Sequence, residues 1–263
     1  MNLSILFLIG LVFSSLLMML VWMIAMRIEN VGIGDAAWVF GFIPLALFYR
    51  AYSDGEPARQ NLITLMVMLW SMRLGFHLLK RIVIHHPRED GRYQELRKTI
   101  SGHENFFFFW FFQGQALLLA FLSLPILLSN SDPRLSLGFS DVLGFLLWLV
   151  AICGETLADH QLAKFKANPS HHGKVCMVGL WRFSRHPNYF FEWLVWVAFF
   201  LFALPSSWGW SMVLAPLFML FFLLRVTGPH TEEQALRSYG TAYREYQCTT
   251  NAFIPWLPKG NAA

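Results

Sequence analysis

The sequence predicts an all-α, polytopic membrane protein, and three observations predict it. Hydrophobic residues make up 56% of the 263 and charged residues only 14%, well below the roughly one quarter charged that soluble domains carry. The apolar residues gather into about seven runs, near 3–26, 34–52, 61–84, 105–129, 138–163, 188–204 and 207–227, most of them near the roughly 20 residues a helix needs to cross a bilayer. Lysine and arginine concentrate in alternate connections between those runs, the bias that membrane topology follows.

Taken in order, the first run is a span: it is too long for a signal peptide and lacks both a basic leader and a small-residue cleavage pattern. The second opens with Asp35-Ala36-Ala37-Trp38, where Asp35 is either a helix N-cap or an acid at the membrane border. In the third, Arg73 and His77 lie four apart and share a helix face among Leu69, Trp70, Leu74 and Phe76. A buried arginine needs an anion, either a carboxylate such as Glu155 or Asp159 or a cofactor phosphate. The fourth carries the aromatic run Phe106 to Phe112, read as lipid-facing or packing surface. The fifth contains Glu155, Asp159 and His160 and the sixth is short, so these two are expected to border a cavity rather than plain lipid.

Orientation follows from the cations. Lys80, Arg81, Arg88, Arg92, Arg97 and Lys98 follow span three; Lys164, Lys166, Lys174, Arg182 and Arg185 lie between spans five and six; Arg237, Arg244 and Lys259 lie in the tail. All fall on one side, which with seven spans puts the N-terminus outside and the C-terminus in the cytoplasm. No repeat or Gly/Ser linker interrupts the chain, and residues 1–263 are expected to form one domain. The net charge of +4 sits in short loops, so no nucleic-acid partner is implied. Cys153, Cys176 and Cys248 have no disulfide or metal spacing, and the pairs His85-His86 and His171-His172 lack the partner histidines of a metalloenzyme motif, so no metal is expected. No glycine-rich phosphate loop occurs, which excludes a Rossmann unit as the holder of any dinucleotide.

The richest stretch runs Gly179-Leu180-Trp181-Arg182-Phe183-Ser184-Arg185-His186-Pro187-Asn188-Tyr189-Phe190-Phe191-Glu192. A cationic, hydrogen-bonding segment here leads straight into an apolar helix. Pro187 suits a helix start, whose free N–H groups and positive dipole end favour an anion. Glu192, one turn beyond Asn188, calls for a protein interior or a wet cavity, because lipid opposes a carboxylate. The plainer use is a basic turn anchored to headgroups.

This stretch, with Trp193 behind it and Tyr239, Tyr243-Arg244-Glu245-Tyr246 and Phe253-Ile254-Pro255 in the tail, resembles the steroid 5-alpha-reductase family, most of all its bacterial members. The likeness extends to Asp35-Ala36-Ala37-Trp38, Leu69 to His77, and Glu155 to Gln161. It implies a seven-helix fold with a cytoplasm-open cavity for NADPH, set in a bacterial inner membrane. The implied reaction reduces a carbon–carbon double bond conjugated to a ketone in a lipophilic, steroid-like or other lipid substrate. By position, the resemblance assigns Arg73, Glu155, Asp159, Lys166, Lys174, Asn188 and Glu192 to the NADPH site, with Arg185 and His186 close by and His77 and Tyr239 in the same set. The catalytic positions depart from the family. Trp70 stands where animal members carry a tyrosine, and span two has no Gln-Glu pair. Asp35 is then the leading proton donor, with Trp70 and Tyr93 as the other candidates. A second resemblance, through Arg-His-Pro-x-Tyr and Glu232-Glu233-Gln234-Ala235-Leu236 with Tyr239-Gly240 and Tyr243, is to the isoprenylcysteine and phospholipid methyltransferases, and implies S-adenosylmethionine instead. Asn188 with Glu192, and Phe191 in place of that family's glycine, favour the reductase.

Overall fold

The computed structural model describes residues 1–85, 89, 91–100 and 102–258. His86, Arg88 and Lys259, together with the side chains of His85 and Arg92, lie outside the described residues. Every regular element among the described residues is helical. Six helical stretches are long and apolar enough to cross a membrane: Leu3–Arg27, Ile33–Tyr52, Pro57–Ile84, Glu104–Asn130, Phe139–Ala167 and Gly209–Tyr239. The stretch expected to be short, Pro187–Ala203, has 17 residues and falls below that length. The protein is therefore a polytopic, all-helical membrane protein.

The chain divides into two compact units, Met1–Asp141 with Phe202–Met212, and Val142–Leu201 with Val213–Ala263. In the first, α1 (Leu3–Arg27) starts at Asn2, whose side chain accepts the Ser4 N–H at 3.1 Å. Its buried residues Gly10, Ser14, Met18 and Val21 form one stripe, while Leu8, Val12, Leu16 and Leu20 form an exposed one. An exposed apolar stripe of that length is what lipid covers and water would oppose. The second span is broken at Gly41 into α2 (Ile33–Phe40) and α3 (Phe42–Tyr52). Against it lies α4 (Pro57–His85), with Gly75 directly under the Phe40 ring where a methyl group would collide. The connection after the third apolar run holds a helix of its own, α5 (Gly91–Thr99). It is followed by α6 (Glu104–Leu122) and α7 (Leu124–Asn130), which starts beside Pro125.

One end of this unit is tied by a buried ionic knot. Arg59, fully buried, grips Asp141 through Nε and Nη2 at 3.2 Å each and donates to the carbonyls of Asp132, Arg134 and Ser136. Arg134 in turn pairs with Asp132 at 2.7 Å, and Ser206 Oγ donates to Asp132 at 3.1 Å.

The second unit holds most of α8 (Phe139–Ala167), then α9 (Pro187–Ala203), α10 (Leu214–Phe222), α11 (Gly228–Tyr239) and α12 (Thr241–Thr249). A π turn, Leu223–Thr227, joins α10 to α11. Pro229 has no N–H to give and its ring crowds the carbonyl four residues back, which accounts for the widened helix there.

Candidate functional site

In the first unit the structure brings together two residues that the sequence offered as alternatives. The Tyr93 hydroxyl on α5 donates to Asp35 Oδ1 at 2.7 Å. The N-cap of α2 is Gly32, so Asp35 is not the helix cap but a first-turn residue whose carboxylate receives a phenol. Tyr93 is buried against Val31, Phe108 and Phe112. Glu89 holds the same corner, accepting the Val31 N–H at 2.7 Å and pairing with Arg97 at 2.8 Å. Trp70 is fully enclosed, edge-on to Phe42 with ring centroids 5.3 Å apart. Arg73 is half-buried on the same helix, and His77, one turn further, is exposed.

The other candidates lie in the second unit. Glu155 is buried on α8, with Asp159 one turn on. Asn188 and Glu192 occupy the first two turns of α9, which begins at Pro187 as its ring geometry favours. Asn188 Nδ2 donates to Asp159 Oδ1 at 3.3 Å, so the two i, i+4 faces read from the sequence meet. Gly154 lets them meet: its missing side chain leaves room for the Phe191 ring. Glu192 accepts the Trp196 indole N–H at 2.9 Å. Asn188 Oδ1 is buried without a hydrogen-bond partner among the described residues.

Further along the chain, Lys166, Lys174 and Tyr239 line one cavity of about 260 Å³ with Phe165, His171, His172, Gly173 and Ser238. The His171 ring stacks on Phe165 with centroids 4.3 Å apart. Two ammonium groups and two imidazoles border this one small recess, a donor set whose chemistry suits an anion.

Arg185 and His186, which the resemblance puts close to the cofactor, both pair within the protein with Glu232. Arg185 pairs with Glu232 at 2.6 Å and donates to the carbonyls of Gln247 and Thr250 at 3.1 and 2.6 Å. His186 Nε2 lies 3.2 Å from the same Glu232 oxygen, and its ring stacks on Tyr189. Gln247 donates to the other Glu232 oxygen at 2.9 Å. These groups clamp the tail against the approach to α9. The Tyr246 hydroxyl adds to the clamp by donating to the carbonyls of Trp181 and Ser184. Burial, then the nearby Glu232 carboxylate, pushes the Tyr243 hydroxyl up to about 12.

Glu232 is the residue that sequence reasoning used only as part of a tail pattern. The signal that could have found it is chemical: Arg185, at a membrane border, requires a carboxylate, and Glu232 opens the polar half of the last long helix. Gln161 was passed over in the same way. Its Oε1 accepts the Leu180 N–H at 2.8 Å and fixes the turn before α9.

The profile of the family described as "Protein of unknown function (DUF1295)" matches residues 21–250. An uncharacterized protein of Schizosaccharomyces pombe is 25% identical over 286 aligned positions, which cover 95% of this chain and 80% of the relative. No solved structure matches the chain.

Proposed function

We propose, for a chain that belongs to the DUF1295 family of proteins of unknown function, a membrane-embedded reductase that uses NADPH to saturate a double bond conjugated to a ketone in a lipophilic substrate. The observation that carries this reading is the meeting of Asn188 with Asp159, which leaves Asn188 Oδ1 buried and without a donor among the described residues. An unmet buried acceptor costs about 1–3 kcal/mol. A carboxamide N–H, such as nicotinamide carries, would satisfy it. The cationic recess at Lys166 and Lys174 fits phosphate, the other chemical part of the same cofactor. The residues present therefore suit NADPH, which when bound supplies the hydride.

The chain's own residues supply the rest. Asn188, steadied by Asp159, orients a carboxamide at the start of α9. Lys166 and Lys174 neutralise phosphate charge. The Tyr93 hydroxyl donates its one proton to Asp35 Oδ1 and so orients that carboxyl, and Asp35 in its acid form carries the proton to be given on Oδ2. As hydride arrives at a conjugated ketone, negative charge collects on its oxygen, and a positioned hydrogen-bond donor stabilises it. Positioning of this kind is worth orders of magnitude in rate.

The test is turnover. Purified protein supplied with NADPH and a panel of lipophilic enones should consume reduced nicotinamide and yield the saturated ketone by mass spectrometry, and Asn188→Ala should stay folded and lose that activity. Full turnover in Asn188→Ala would remove the role assigned to Asn188. Methyl transfer from S-adenosylmethionine, with no NADPH consumption, would replace the reading with a methyltransferase.

A further inference from the structure

Tail residues 251–256 take no part in the candidate site, yet they are held firmly. Residues 251–256 run as a strap beside 183–185: the Arg185 N–H donates to the Asn251 carbonyl at 2.8 Å, Ser184 Oγ to the Phe253 carbonyl at 2.8 Å, and the Trp256 N–H to the Phe183 carbonyl at 3.0 Å. The Phe253 ring faces inward onto Phe190 and Trp193, with centroids 5.7 and 6.0 Å away, and so fixes the strap beside the first two turns of α9. Its neighbours face outward. Ile254, Trp256 and Leu257 are 61%, 69% and 71% exposed, and Pro255, Trp256 and Leu257 form with Phe183 an apolar recess of about 320 Å³. In water, such a cluster of large apolar side chains on a rigid backbone would be a liability.

The element beside it explains the cluster. With 17 residues, α9 spans only about 25 Å at about 1.5 Å per residue, against a hydrocarbon core of about 30 Å. Apolar surface placed at its start makes up the missing height, and tryptophan is the residue that favours the border between hydrocarbon and headgroups. Arg182, exposed and next to Phe183, is placed to meet a lipid phosphate. We infer that Ile254, Trp256 and Leu257 form an interfacial anchor that inserts into the headgroup–acyl boundary of the bilayer beside the start of α9. The occupant is lipid, because a chain with six membrane-length helices lies in a bilayer, and exposed Trp256 beside exposed Arg182 gives the patch the aromatic and the cation that the hydrocarbon–headgroup border favours.

Bilayer nanodiscs made with lipids brominated along the acyl chain test this. The Trp256 signal is taken as the fluorescence of the wild type minus that of Trp256→Phe, a change that keeps the backbone bond to Phe183. It should lose most of its intensity to shallow bromines, less to deep ones, and little to aqueous iodide. A second reporter, Ile254→Trp in the Trp256→Phe background, should behave alike. Quenching by iodide and not by bromolipid would place the segment in water and overturn the inference. Quenching by neither would show protein covering it and overturn it equally.

Discussion

At the scale of single residues, the Tyr93–Asp35 bond decides how the proposed acid works. The phenol donates its one proton to Asp35 Oδ1 across 2.7 Å, so Tyr93 orients the carboxyl and the proton given to the substrate is one carried on Asp35 Oδ2. Asp35→Asn keeps an oxygen to accept the phenol but carries no transferable proton, and enone reduction should fall by about 100-fold or more, the common scale for lost acid catalysis, with NADPH affinity unchanged by calorimetry. Tyr93→Phe should fall less, because Asp35 keeps its proton and loses only the bond that orients it; a larger loss in Tyr93→Phe than in Asp35→Asn would make Tyr93 the proton donor. Both residues were legible as candidates, since an acid or a phenol at a membrane border is conspicuous. Their partnership was not. The two lie 58 residues apart, and hydropathy says nothing of which border groups meet. Asp35 also looked like a helix cap, until the cap proved to be Gly32.

At the scale of elements, close approach of α8 and α9 depends on Gly154. Gly154→Ala sets a methyl group against the Phe191 ring, and overpacking of this kind costs about 1–3 kcal/mol. The expected result is a lower thermal midpoint in detergent together with weaker NADPH binding, since Asn188 and Asp159 sit on the faces that would be pushed apart. The apolar spans were readable because a bilayer demands long apolar runs. The break at Gly41, the helix α5 and the π turn before α11 were not, because each answers to packing or to a single proline rather than to hydrophobicity. The ionic knot was missed for a related reason. Arg59 opens α4, Asp132 lies in the connection after α7 and Asp141 opens α8, and only the fold establishes their pairing. Arg59→Ala leaves Asp141 buried without its bidentate partner, and a broken buried pair of this type costs about 3–5 kcal/mol. Thermal unfolding should register the loss, while enone reduction by the molecules that remain folded should be unaltered.

For the molecule as a whole, stability should depend on acid through the same knot. Burial raises the Asp132 carboxyl, but hydrogen bonds from Arg134 and Ser206 outweigh it and hold the group below the ordinary carboxylate range. The folded protein thus takes up this proton less readily than the unfolded chain does, and the pairing contributes stability that is complete at neutral pH and lost as pH falls through that lowered value. Asp132→Asn should flatten the acid side of the thermal midpoint against pH and leave the neutral-to-alkaline side parallel to the wild type. The central claim concerns the cofactor, and calorimetric titration of the purified protein with NADPH and with S-adenosylmethionine, in the wild type and in Asn188→Ala, tests it most directly. The account predicts saturable binding of NADPH, at least about tenfold weaker in Asn188→Ala, or about 1.4 kcal/mol, and no binding of S-adenosylmethionine. Saturable binding of S-adenosylmethionine with none of NADPH would contradict it.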